Sequence, residues 1–345
     1  MKPYQQSVSH RRDAGLFSNR KPAVTQTFKT LMMTAALSLC ATGAWAETLK
    51  IGAQPWLGYG PLWVAAEKGF FKEAGVDVEI VNFNWDQDLT AGLASGNLHL
   101  VAAATNTTLV NINQSIPVVG ILVMDEATTA DAIIAAGEIK SIADLKGKSV
   151  AYERGATSDL LLNYALKNNG MSLADITPVP MGASEAGLAL IAGSVEAAVT
   201  YEPYISAALR EGEGFETIYT AAEKPGLISD ILVGNPEWVA ANGDEVKAVI
   251  RAWDMAVAFV RENPAEGGAL IAAAVGAPME EFEPAFKGVH LFDSKDNARI
   301  LEGQYQDTVK AIGEIMIETN PEDITRIVPA EDLMASVAVL AVAAE

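Results

Sequence analysis

The side chains in this sequence best suited to chemistry are acids and aromatic rings in short loops. They are Trp56, Tyr59, Trp85, Asp86, Thr105, Asn106, Asp125, Glu126, Glu153, Arg154, Thr157, Ser158, Tyr201, Glu202 and Asp230. Six of them are carboxylates, against the single base Arg154. A carboxylate taken out of water is tolerated only beside a partner. A cation, or a ligand rich in hydrogen-bond donors, is such a partner, and Trp or Tyr faces add ~0.5–2 kcal/mol of cation–π attraction per contact. Two expected helix starts, at Thr157-Ser158 and Thr105-Asn106-Thr107, would suit an anion instead, and a zwitterion satisfies both ends. Each residue also has a structural alternative. Glu202 either meets a ligand or braces the chain before Pro203; Arg154 either lines the site or neutralises Glu153 or Glu202; Trp56 and Trp85 either stack on a ligand or fill a lobe. Asp88 and Asp159 fall in first helical turns, where an acid complements the helix dipole.

Catalytic signatures are missing from the sequence. It contains no G-x-S-x-G elbow, H-E-x-x-H pair, P-loop or G-x-G-x-x-G turn. Gly58-Tyr59-Gly60 begins like a dinucleotide loop, but Pro61-Leu62-Trp63 brings no third glycine. Beyond residue 46 only His99 and His290 remain as histidines, and a lone His on a strand, such as His99, reads as structural. The expectation is a binding protein without enzymatic activity, cofactor or metal.

Composition narrows the class further. The chain has 345 residues, half of them apolar, with 44 acids against 24 bases and a formal net charge of -20. That balance opposes nucleic-acid binding, which needs a basic face. Residues 1–46 are different: they hold Lys2, Arg11, Arg12, Arg20, Lys21 and Lys29 but one acid, Asp13. An apolar run from Leu31 to Ala41 follows, then Ala44-Trp45-Ala46, with small residues at both recognition positions of a leader peptidase. This order predicts a signal peptide and export. A lipid anchor at Cys40 is the rival reading, and Leu39 fits a lipobox poorly. Cys40 is the only cysteine, so a chain cleaved after Ala46 has no disulfide, thiolate metal site or cysteine nucleophile.

The elements that must position the candidate residues repeat. Strand Leu49–Ala53, a helix beginning near Pro61, strand Val76–Val81, a helix closed by Ser95-Gly96 and strand Leu98–Ala102 form a βαβαβ unit. The order returns with strand Ser149–Tyr152, helix Ser158–Lys167, strand Asp175–Val179, a helix closed at Gly193 and strand Val195–Val199. Gly58 and Gly155, Gly96 and Gly193, and Val76 and Leu173 are each 97 positions apart. Two similar α/β lobes follow, with ligand sites expected beyond the carboxyl ends of the strands. The lobes are predicted as 47–130 with 231–345 and as 131–230, with crossovers at 118–136 and 228–234. Helices are expected over 245–262, 278–287, 296–318 and 331–344.

Three segments carry a family resemblance. The run from Ala53 to Phe71 (Ala-Gln-Pro-Trp-Leu-Gly-Tyr-Gly-Pro-Leu-Trp-Val-Ala-Ala-Glu-Lys-Gly-Phe-Phe) resembles the opening of the substrate-binding proteins of nitrate, sulfonate and taurine ABC importers. Ile142–Lys148 looks like the start of their second lobe, and Ala192–Pro203 is similar to their A-G-x-V-D-A-[AV]-x-x-x-E-P segment. The resemblance implies a type II periplasmic binding-protein fold, two lobes closing by a two-segment hinge on a small molecule, and delivery to an inner-membrane ABC permease. A monomer is that family's default. It also places Asp230 where taurine-type members carry an aspartate facing the ligand's amine. Asp125–Asp131 resembles the D-x-S-x-G-x-D crossover of members linked to urea carboxylase, with departures at Ala127, Thr129 and Ala130. Together these readings predict a taurine-, guanidine- or amine-like ligand, with nitrate or an alkanesulfonate as the anionic alternative.

Overall fold

The computed structural model describes residues 48–211 and 214–345; the expected leader peptide and Cys40 lie outside them. Eleven strands in these residues form two sheets. In chain order they are β1 (Leu49–Ala53), β2 (Val78–Asn82), β3 (Leu100–Ala104), β4 (Val119–Ala127), β5 (Asp131–Ala135), β6 (Ser149–Tyr152), β7 (Thr177–Pro180), β8 (Ala197–Tyr201), β9 (Glu216–Thr220), β10 (Ile228–Gly234) and β11 (Val289–Leu291). The six-stranded sheet runs β11-β4-β10-β3-β1-β2 and the five-stranded sheet β7-β6-β8-β5-β9.

Each lobe is built on parallel βαβ pairing, as the repeat predicts. β1 pairs with β2 and β3 in one lobe, and β6 with β7 and β8 in the other, all parallel. The 97-residue offset survives at atomic level. Helix Asp86–Ala94 corresponds to Ala183–Ile191, β3 to β8, and the left-handed glycines Gly96 and Gly193 end the equivalent turns. Helices Gly60–Lys68 and Thr157–Asn168 begin with the same spacing. Strands that cross between lobes enter antiparallel: β10 lies between β3 and β4, and β5 between β8 and β9.

Two details differ from the sequence reading. β10 lies wholly in the larger sheet, so Ile228–Asp230 joins the first lobe although the boundary was drawn after 230. The connections themselves are residues 128–130 and 221–227. The long helices expected over 296–318 and 331–344 are each broken in two, into Ser294–Ile300 and Gln304–Thr319, and into Ala330–Leu333 and Val337–Ala343. The first break falls at the turn containing Gly303; at the second, Ala335 N–H donates to Gly120 O, drawing the chain onto the sheet.

Apolar packing fixes the first lobe around Ile51, Leu62, Leu100, Leu122, Met124 and Trp253, all without solvent exposure. Trp253 lies in the helix Gly243–Glu262, and its indole N–H donates to Phe292 O at 2.8 Å, satisfying its one polar atom. The second lobe has its own cluster, including Ala132, Ile134, Ala151, Leu190, Ala198 and Ile205.

The connections between lobes are held together. Glu126, predicted to meet a ligand, instead accepts the backbone N–H of Gly226 at 2.9 Å and so ties the second connecting segment to the end of β4. Gly226 has φ of 80°, a conformation that a side chain would strain. The lobes stand closed. Arg154 pairs with Glu322, Lys167 with Glu318, and Arg210 with Glu281, while Asn320 Nδ2 donates to Asp159 Oδ2 at 3.0 Å. Exposed ion pairs contribute about 0.2–1 kcal/mol each. Replacing both Glu318 and Glu322 by Gln should raise the open fraction by up to about fivefold per lost pair at low salt. Small-angle scattering would read this as a larger radius of gyration, with the wild type approaching the variant as salt is added; identical profiles at all salt concentrations would exclude a latch.

Candidate functional site

The ends of β1, β6 and β8, together with β10 and three helix starts, converge on a cavity between the lobes. It is lined by Gln54, Trp56, Tyr59, Asp86, Ala104, Asp131, Glu153, Ala156, Thr157, Ser158, Ala183, Tyr201, Ile228 and Asp230, and it measures about 30 Å³ with the lobes closed. That volume admits one or two waters, so a larger guest requires the lobes to part.

Trp56, Tyr59, Asp86, Glu153, Thr157, Tyr201 and Asp230, all predicted from sequence, line this cavity, as does Ser158. The aromatic side chains form its walls: Trp56 and Tyr201 meet edge-to-face across the lobes with centroids 5.7 Å apart. The loop after β1 holds the Trp56 indole where its Nε1 donates to Asp125 Oδ1 at 3.1 Å, and Tyr59 OH donates to Asp230 Oδ1 at 3.0 Å. Gly58 is required by closeness: a Cβ there would collide with the Asp125 carboxylate and the Trp56 indole nitrogen.

Other predicted residues serve the site from behind or stand apart. Asp125 is fully buried beside Asp230, outside the cavity wall. Thr105 opens the expected helix, and its hydroxyl bonds with Ser229 and Tyr305, both at 2.9 Å. Asn106 is buried with its Nδ2 unpartnered, yet does not reach the cavity surface. Trp85, expected as a stacking face, lies outside the lining; its indole sits over Gly182 of the opposite lobe, where a Cβ would come within 3.3 Å. Glu202 is likewise absent from the lining and accepts Ser206 N–H and Oγ–H, both at 3.0 Å, as the bracing alternative had it. Arg154 is exposed and pairs with Glu322, not with Glu153 or Glu202.

Sequence reasoning did not single out Gln54 for the site, and it named Asp131 and Thr107 only as parts of the crossover motif and of a helix start. Asp131 opens β5 and faces the cavity; its place directly after the crossover was the available signal. Gln54 was passed over as part of the first loop, although its amide nitrogen is buried without a partner. Thr107 Oγ1 donates to Asp86 Oδ2 at 3.1 Å.

The electrostatics are one-sided. Four carboxyl groups (Asp86, Asp131, Glu153, Asp230) line the cavity and no lysine, arginine or histidine does. Glu153 is held by neutral donors, the backbone N–H groups of Asp86 at 2.8 Å and Ala183 at 3.2 Å, which reach it from both lobes. Desolvation raises the Glu153 carboxyl to about 8, with Asp86 adding repulsion. Burial likewise lifts Asp230 to about 6, against the lowering effect of its Asp125 and Tyr59 hydrogen bonds. Asp86, half-buried at the junction with an outer groove, is also raised by desolvation to about 6. Asp131 and Asp125 are pushed well above the usual carboxylate range by burial and by Asp230. The arrangement can hold a positive or donor-rich group; among the described residues no cluster fits a metal ion.

A folded-state pKa raised above the unfolded value adds stability that is complete below the unfolded pKa and lost as pH rises through the folded one. The ligand-free protein should therefore lose Tm as pH climbs from about 5 to about 8.5, spanning the values near 6 and 8. Asp131→Asn should flatten that fall. Calorimetric melting against pH checks it, and a Tm rising across this range would contradict the cluster.

Comparison with known proteins agrees with this architecture. The NMT1/THI5-like family matches residues 57–267, more than half of the chain. A putative aliphatic sulfonates-binding protein of Escherichia coli is 33% identical over 41% of this chain and 43% of its own length. A 4-amino-5-hydroxymethyl-2-methylpyrimidine phosphate synthase of Aspergillus parasiticus is 27% identical over 60% of this chain and 64% of its own. The chain thus spans less than two thirds of the length of these relatives. The solved alkanesulfonate-binding protein SsuA of Xanthomonas axonopodis pv. citri, bound to MOPS, superposes with a TM-score of 0.71 at 19% identity, covering 84% of this chain and 98% of that one. It shares the two-lobed fold. The chain belongs to the NMT1/THI5-like family, in agreement with the resemblance of its motifs to the substrate-binding proteins of nitrate, sulfonate and taurine importers.

Proposed function

We propose that this protein is the periplasmic receptor of an ABC importer and captures a small nitrogen-containing cation or zwitterion between its lobes. One observation carries the choice of ligand: four carboxyl groups line the cavity and no basic side chain does. An anion would enter against them. A guanidinium, ammonium or amine would supply the missing partner, with Trp56, Tyr59 and Tyr201 as aromatic walls. Closure desolvates the guest, and the closed form, favoured by differential affinity, docks on a membrane permease. Export by the leader in residues 1–46 belongs to the same reading, as does a monomeric receptor without catalytic activity.

An anionic ligand is the second reading, and the sulfonates-binding name of the Escherichia coli relative favours it. The helix start at Thr157-Ser158 and the unpartnered Tyr201 hydroxyl and Gln54 amide would hold an anionic end of a zwitterion. An enzyme is a third reading, because the Aspergillus parasiticus relative is a synthase; turnover of a bound compound by the purified protein would establish it.

Isothermal titration against taurine, guanidinium, choline, urea, aminopyrimidines, nitrate and alkanesulfonates separates the first two. Binding of nitrate or simple alkanesulfonates alone would overturn the cationic reading. Asp230→Asn should weaken a bound cation well beyond tenfold, in line with ~2–5 kcal/mol for truncating one side of a buried charged pair. Glu202→Gln, which stands on Ser206 outside the cavity, should leave affinity within a few-fold of wild type.

A further inference from the structure

The four carboxyl groups of the cavity come from four separate elements, and nothing facing them carries positive charge. Asp86 opens a helix, Asp131 opens β5, Glu153 follows β6 and Asp230 lies in β10. Behind Asp230 sits Asp125, fully buried, with Oδ2 lacking any donor. The groups that approach them are neutral donors: the Trp56 indole, the Tyr59 and Thr107 hydroxyls, and the backbone N–H groups of Asp86 and Ala183. The other ionisable neighbours add no cation. Glu202 bears on Asp131, Glu185 on Glu153, and Tyr201 and Tyr305 feel the cluster's charge from β8 and the helix Gln304–Thr319. Arg154 points to the outer groove and to Glu322.

Five carboxylates so close, three of the cavity's four buried and no counter-charge among them, cannot all be ionised together. We propose that protons neutralise this cluster in the empty protein and that an entering cation displaces them, so that capture is a cation-for-proton exchange. The inference rests on the cationic reading above. In each exchange a carboxyl O–H bond breaks, its proton leaves to solvent, and the carboxylate pairs with the guest, so the charge of the site is conserved. The geometry distinguishes the acids. Asp230 receives the Tyr59 hydroxyl and shares a hydrogen bond with Asp125 that raises Asp125 and lowers Asp230; Asp125 therefore keeps its proton and Asp230 meets the guest as an anion. Asp131, without a hydrogen-bond donor, and Glu153, raised to about 8, are the acids that release protons. Affinity for a cation then rises with pH through about 6 to 8, and falls as the surroundings acidify.

The test uses the full-length mature protein with guanidinium chloride, choline and taurine as probes. Titration calorimetry at pH 7 is run in phosphate and in Tris, buffers of very different ionisation enthalpy, and repeated from pH 5.5 to 8.5. The expected result is a buffer-dependent enthalpy equivalent to roughly one proton released and an affinity gain approaching about tenfold per pH unit. Glu153→Gln should reduce both. Carbon-13 carboxyl NMR of the ligand-free protein supplies a readout independent of any ligand: at least two Asp or Glu side chains titrating above pH 5.5, one of them lost in Glu153→Gln. A bound cation with equal enthalpies in both buffers and a flat pH profile overturns the exchange while leaving the cationic reading intact. Carboxyl groups that all titrate below pH 5 overturn it without reference to ligand. Binding of anions only, by contrast, removes the cationic reading and the exchange with it.

Discussion

The constraint on which this molecule turns is the desolvation of several carboxyl groups at the seam of two lobes without a basic residue to answer them. A carboxylate held in a low-dielectric site costs several kcal/mol unless paired. Here the surroundings supply only N–H and O–H dipoles, one of them from the opposite lobe, so the cost is not fully offset. The surrounding fold must overcome it. It does so through an apolar core that draws residues from both lobes, a further cluster inside the second lobe, and a bond from Gly226 N–H to Glu126 that ties the second connection to β4. The acids are thus held in place by packing that has nothing to do with their charge.

That division explains why closure and electrostatics are coupled. Glu153 belongs to the second lobe, yet one of its two N–H donors, that of Asp86, belongs to the first. Opening the cleft removes this donor and lets water in; closing it restores the donor and excludes water. Ion pairs at the rim, Arg154 with Glu322 and Lys167 with Glu318, favour the closed form weakly because they stay exposed. The balance between states is therefore set mainly inside, by what neutralises the acids.

Much of the architecture was legible in the sequence because it follows from local periodicity repeated twice. Pairs such as Gly96 and Gly193 mark equivalent helix ends, and Gly60 and Thr157 equivalent helix starts, and these obey spacing alone. The acid-rich character of the loops was legible for the same reason, since strand ends in parallel sheets point to one side. What was not legible depends on rotation about a strand or on a partner far away. Glu126 and Asp125 are adjacent, but alternation along β4 sends one toward Gly226 and the other toward Trp56. Glu202 follows Tyr201, which lines the cavity, and is turned to Ser206 instead. Trp85 was read as a ligand face, yet the closeness of Gly182 in the other lobe makes it part of the seam. Asp131 was not singled out as a ligand group because its one signal, a place directly after the crossover, does not say whether the first residue of a strand faces the cleft or solvent.

Two proteins similar to this chain are described as binding sulfonates, and the solved one shares its fold. Such sharing is expected, since a two-lobed clamp imposes a location for the guest and leaves its charge to a handful of loop residues. Reversing the preferred charge requires no change in topology. It requires that the strand ends and helix starts present acceptors instead of donors, and here Asp86 does so at the first turn of a helix, where the N–H dipole stabilises it. Two backbone N–H groups at helix starts, those of Asp86 and Ala183, are occupied by one protein carboxyl group, that of Glu153. On the proposed cationic reading, a built-in carboxyl group held by backbone N–H donors takes the place that a free anion would occupy in an anion clamp.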